Sequence, residues 1–229
     1  MKNYFRNALY GLLGIFLYFL LYSIEGLPFA LVHVDPNSLP TFIKVTYLVA
    51  YEILMIAIML LLYYNLFKKD LADMKKNHKK YYSKYFKYYL IAFAIMMISN
   101  LTIVLLLNKD ISTNETLIRD TFKISPFYIY FSGIIFAPIV EETVFRGCVR
   151  KILTNKYLYV IVSGLLFGFA HISGYITGVS DLLYLIPYSS LGIAFAYIYY
   201  KTDNIFTSMG LHFMHNGVLL SLQFLTLFL

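Results

Sequence analysis

Seven apolar runs, each near the 20 or so residues that a helix needs to cross a bilayer, govern what this chain can fold into. They cover approximately 8–24, 41–67, 88–107, 126–150, 157–176, 182–200 and 205–228. The fold class they predict is all-α: a polytopic transmembrane helix bundle of about seven spans, or eight if a re-entrant or interfacial helix escapes the count. Composition agrees, because 60% of the 229 residues are hydrophobic and 14% are charged, against about 25% charged in a soluble domain.

Charge sets the expected orientation. Fifteen of the nineteen basic residues fall on one side of the predicted bundle: Lys2, Arg6, the eight lysines from Lys68 to Lys87, Arg146, Arg150, Lys151, Lys156 and Lys201. The remaining four are Lys44, Lys109, Arg119 and Lys123. The positive-inside rule then places the N-terminus in the cytoplasm and the C-terminus outside. The formal charge of +7 is thereby explained without nucleic acid, which is not expected as a partner. Lys2 and Arg6 before an apolar run have the charge order of a signal peptide, but the run is long and lacks a small-x-small cleavage site, so an uncleaved first span is expected.

Residues 1–125 are read as N-terminal transmembrane helices with a basic inner-side loop at 68–87, and 126–229 as the catalytic core, within one integral membrane domain. The 68–87 stretch interleaves lysines with tyrosines, as a segment lying on an anionic inner leaflet does. The outer loop 108–123 is polar and mixed in sign. His33 and His78 belong to solvated stretches. Cys148, alone, excludes an internal disulfide and a multi-cysteine metal site and is read as a small packing residue.

Against this background Ala137-Pro138-Ile139-Val140-Glu141-Glu142-Thr143-Val144-Phe145-Arg146 stands out. One ionisable group near mid-span costs about 2.5–3.5 kcal/mol on insertion scales and usually marks chemistry or transport. Here there are three within six residues. Glu142 and Arg146 are spaced i,i+4 with the acid first, the favourable order for a pair on one helix face. Glu141 sits roughly 100° away round the helix, free to serve as a general base.

Two later spans carry similar oddities. Phe167 and His171 share one face, as do His212 and Asn216. Glu141, His171 and His212 lie ten, fifteen and eleven residues from Lys151, Lys156 and Lys201, roughly 15 to 22 Å along each helix. Spans 4, 5 and 7, packed together, therefore enclose a polar chamber near mid-membrane. Gly164 and Gly168 offer a small-xxx-small packing face, and Pro138 is positioned to kink span 4. Glu52, which either lines a site or pairs with a neighbour, and His215, on the same side as Asn216, receive no role.

These motifs resemble the CAAX-protease and bacteriocin-processing family of intramembrane proteases, also called the Abi family: Glu-Glu-x-x-x-Arg, Phe-x-x-x-His and His-x-x-x-Asn, in that order and each inside a span. The likeness covers about 126–220. It implies peptide-bond hydrolysis within the membrane. Glu141 would take a proton from water held with His171, and His212 and Asn216 would donate to the oxyanion. Glu142 and Arg146 would hold the catalytic helix in register, and Phe167 would restrict the His171 ring. The reading without metal is preferred, since no His-Glu-x-x-His motif is present and an amide suits an oxyanion better than zinc. If zinc is bound, His171 and His212 with Glu141 are its ligands.

The expected activity is an endopeptidase acting on a membrane-associated peptide or protein, at a leader, propeptide or C-terminal tail. The alternative is a non-proteolytic bacteriocin-immunity or regulatory membrane protein of the same family. A proton-relaying transporter is a third class, unsupported by any internal repeat. The composition, rich in Lys, Asn, Ile and Tyr, points to an AT-rich bacterial source and so to the bacterial plasma membrane.

Overall fold

A computed structural model describes residues 2–106 and 111–226. Lys109, the 227–228 end of the seventh run, the C-terminus and the Lys2 side chain lie outside the described residues. The principal helices are α1 (Lys2–Ile24), α2 (Thr41–Leu62), α3 (Tyr64–Leu106), α4 (Thr113–Ile124), α5 (Pro126–Ile152), α6 (Lys156–Ile172), α7 (Leu185–Thr202) and α8 (Ile205–Leu225). Single turns at Leu27–Leu31, Pro36–Ser38, Ser173–Tyr175 and Val179–Tyr184 join them, and no strand occurs among the described residues.

The architecture is an all-α polytopic bundle. Among the described residues α1, α2, α3, α5, α6 and α7 are long and apolar enough to cross a membrane, six rather than the expected seven. The difference is α8. Its 21 residues suffice in length, but His212, His215 and Asn216 lower its apolar character.

The 68–87 stretch, expected as a loop, is instead the first half of α3, a helix of 43 residues. At 1.5 Å per residue it is about 64 Å long, twice the hydrocarbon thickness. Its basic part is held by two acids among the lysines. Asp70 Oδ2 accepts the Ile205 N–H at 2.8 Å, capping α8, while Asn204 Nδ2 donates to the Asp70 carbonyl and to Asp73 Oδ2. Tyr81 also donates to Asp73. The 108–123 stretch, likewise expected as a loop, carries α4 from residue 113 onward. Ser112 caps it by accepting the Glu115 N–H, Glu115 pairs with Arg119 at i,i+4, and buried Phe122 anchors it against Ile129 and Leu220.

Close contact between α6 and α7 brings the later helices into register. A Cβ on Gly164 would lie 2.7 Å from the Ile193 backbone N, and one on Gly168 2.9 Å from that of Ser189, so both positions need glycine, as the small-xxx-small spacing predicts. Helix α7 ends at Asp203, whose left-handed φ of 47° suits an acidic or amide residue better than most. It reverses the chain directly into α8. Tyr4 donates to the Ile152 carbonyl and Lys69 pairs with Asp203. The start of α1, the start of α3, the end of α5 and the α7–α8 turn therefore meet at one end of the bundle, the end that is rich in lysine and arginine.

Candidate active site

Helix α5 is not uniform. Phe131–Phe136 and Glu142–Cys148 are π-helical, on either side of an α-helical turn, Ala137–Glu141. Pro138 has no N–H to return to the preceding turn, and π-segments of this kind are a recognised cause of bends in helices. The widened turns free backbone groups. The Gly133 carbonyl accepts Asn216 Nδ2 at 2.7 Å.

Glu142 and Arg146 are both fully buried, with Nε 3.1 Å from Oε2. The other carboxylate oxygen, Oε1, accepts His212 Nδ1–H at 3.0 Å. Arg146 makes no aligned hydrogen bond. Its guanidinium instead lies over the Phe167 ring at 4.4 Å and the Phe195 ring at 5.6 Å, where the ring quadrupoles attract it. A buried charge held this way depends heavily on its single carboxylate.

Glu141, one residue earlier, points elsewhere. Its Oε2 is buried with no hydrogen-bond partner and lies 4.0 Å from His171 Nε2. His171 occupies the last turn of α6, where its Nδ1 donates to the Phe167 carbonyl at 2.8 Å. A carbonyl can only accept, so Nδ1 carries the proton and the neutral ring presents a lone pair from Nε2 toward Glu141. The ring is clamped between Phe167, at 4.4 Å, and Tyr188, stacked at 4.9 Å. The Tyr188 hydroxyl in turn bonds Ser112 and Asn114 of the α4 N-terminus. A cavity of about 180 Å³ borders His171 and is also lined by Ser112, Asn114 and Asp181.

From α8, His212 stacks on Phe195 at 5.5 Å, edge-on to Phe167. His212 and Asn216 both face α5, as their spacing predicts. His215 does not share the Asn216 side. One residue is about 100° of helix, and His215 faces α3, bonded to the Tyr89 hydroxyl at 3.3 Å and flanked by Phe93. Glu52 pairs with α5, where Oε1 accepts Ser132 Oγ at 2.7 Å and Tyr128 OH at 3.1 Å.

Residues 123–218, which hold every one of these motif side chains, match the family model for Type II CAAX prenyl endopeptidase Rce1-like proteins. Over this segment the chain resembles the Rce1-like family. The chain is 30% identical over 115 residues, 49% of its length, to a Bacillus subtilis protein named "Putative membrane peptidase YdiL". It is 35% identical over 83 residues, 36% of its length, to "UPF0177 protein YxdF" of Lactococcus lactis, and 36% identical over 69 residues, 30% of its length, to "UPF0177 protein YajF" of the same species. These matches span 43%, 42% and 31% of the three relatives, under half of each. No solved structure matches the chain.

Within the Rce1-like segment, sequence reasoning missed the residues that hold the motif side chains. Tyr188 and Phe195 come from α7, which carries no motif, and the Gly133 carbonyl is a backbone group. The bond between His212 and Glu142 joins two motif residues across 70 positions. The chemistry of zinc calls for three close donors, yet no cluster of three or more His, Cys, Asp or Glu with metal-ligand spacing exists among the described residues. His171, His212 and Glu141 do not fit a zinc site as they stand, and no step below is routed through a metal.

Proposed function

We propose that this chain is an intramembrane endopeptidase in which Glu141 activates water against a peptide bond of a membrane-associated peptide or protein. The observation that carries the reading is the facing pair of Glu141 Oε2 and His171 Nε2, 4.0 Å apart, both acceptors and the former without a partner. A water within hydrogen-bond reach of both donates one O–H to each. Its lone pairs then point away, toward the position of a scissile carbonyl.

Glu141 takes the water proton as the oxygen attacks the carbonyl carbon, and the carbonyl oxygen becomes an oxyanion. Asn216 uses one amide N–H on Gly133 and has a second for the oxyanion. His212, with Nδ1–H committed to Glu142, donates from Nε2 when both ring nitrogens are protonated. The proton on Glu141 passes to the leaving nitrogen, the C–N bond breaks, and a carboxylic acid and an amine result, the acid then yielding its proton to the amine to give a carboxylate and an ammonium. Glu142 and Arg146 keep His212 aligned without touching the substrate. The chain is proposed to lie in a bacterial plasma membrane with its basic end cytoplasmic, and its substrates are leaders, propeptides or tails delivered by the bilayer.

The test is cleavage of membrane-tethered peptides by purified protein in nanodiscs, wild type beside Glu141→Gln, with and without chelator. Cleavage by wild type alone, unaffected by chelator, is expected. Equal cleavage by Glu141→Gln would remove Glu141 from the mechanism. Loss with chelator that returns with zinc would replace the metal-free step. Capture of a membrane partner without any cleavage would support the immunity or regulatory role instead.

A further inference from the structure

A second feature lies at the basic end, away from Glu141. A cavity of about 470 Å³ opens there, lined by Lys69, Arg150 and Lys151 with Asn7, Asn65 and Asp203 among its polar walls. Its volume is within the range of small-ligand sites. Asp203 is the single acid among the described lining residues, and it is held by Lys69 at 2.7 Å. Arg150 and Lys151 are therefore left without a carboxylate in the cavity wall. Arg150 is held in place by aromatic faces and carbonyls: it lies over Tyr159 and Tyr200, and Nη1 donates to Leu153 and Thr154. Lys151 lies over Tyr63. The cavity thus carries an excess of two positive charges and two amide side chains able to donate hydrogen bonds.

The surroundings indicate the source of the anion. Phe5 and Tyr64, next in sequence to the lining residues Tyr4 and Asn65, are both exposed, which provides apolar surface beside a cationic cavity. We infer that this cavity binds the phosphate headgroup of an anionic phospholipid, with the acyl chains lying along α1 and α2. Basic pockets between transmembrane helices recognise such headgroups. The cavity also includes Gly147, so a bound headgroup braces the π-helical segment Glu142–Cys148 of α5, the helix that carries Glu141. The site stands whether or not the chain cleaves peptides.

The experiment is a titration of purified protein in detergent with phosphatidylglycerol, phosphatidylcholine or inorganic phosphate, read by thermal shift and by lipid retained in native mass spectrometry. Wild type is expected to retain and be stabilised by phosphatidylglycerol, with little response to the other two. Lys69→Gln with Lys151→Gln should weaken that binding about 30-fold, near fivefold per cation. Lys79→Gln with Lys80→Gln, exposed on α3 outside the cavity, should leave it unchanged and so separates a pocket from diffuse attraction. Equal loss in both double variants, or equal binding of phosphatidylcholine, overturns the inference. An equal response to inorganic phosphate overturns the lipid as the source.

Discussion

Replacing Glu142 by Gln tests how the buried charges are balanced. The substitution keeps a carbonyl acceptor for His212 Nδ1 but removes the one carboxylate facing Arg146, whose guanidinium is fully buried and makes no aligned hydrogen bond. Breaking a buried pair from one side costs about 3–5 kcal/mol, because the remaining charge is left uncompensated. Near 2–4 °C per kcal/mol for a chain of this size, unfolding should fall by about 6–20 °C. Arg146→Met should cost a similar amount by stranding Glu142. Glu142→Gln with Arg146→Met together should recover most of the loss, since neither charge remains. Thermal unfolding in nanodiscs reads all three, and peptide cleavage by the double variant reads the site. Stability should return while activity stays low, because His212 no longer bonds a carboxylate. A single Glu142→Gln variant that unfolds within about 2 °C of wild type would refute the reasoning.

Four further outcomes are expected. Glu141→Gln should lower cleavage by at least the roughly 100- to 10,000-fold that general base catalysis contributes, with unfolding near wild type. Asn216→Ala should lower kcat about 100- to 1000-fold, as loss of one oxyanion donor does, with KM for the same peptide little changed. Tyr188→Ala should release the His171 ring and reduce kcat, whereas Tyr188→Phe keeps the stack and should retain most activity in the same peptide assay. Asp70→Ala should leave the first N–H of α8, that of Ile205, without its acceptor and lower stability by about 1–2 kcal/mol, read as thermal unfolding.

The parts of the site legible in the sequence were those set by helical period. The Glu142–Arg146 spacing, the shared face of His212 and Asn216, and the glycines at 164 and 168 all depend on geometry within one helix. What joins helices was not legible. Nothing in the spacing says that His212 bonds Glu142, that Phe195 lies under His212, or that Tyr188 ties His171 to the start of α4. His215 leaves the Asn216 face because adjacent residues diverge by about 100° round a helix, which turns it to Tyr89 and Phe93. The 68–87 stretch reads as a loop because its lysines mask a continuous helix. Asp70 and Asp73, an i,i+3 pair of acids in a basic run, were the available sign that it docks on another helix end. Ser112 with Glu115, the Ser-x-x-Glu signature of a helix start, was the equivalent sign for α4.

The central claim is that Glu141 activates water rather than attacking the peptide itself. A single turnover in H₂¹⁸O, with enzyme in excess over a membrane-tethered peptide, tests it directly by mass analysis of the new carboxyl group. One ¹⁸O in that carboxyl in the first turnover is predicted. Unlabelled oxygen in that carboxyl, with the label on Glu141 instead, would contradict it.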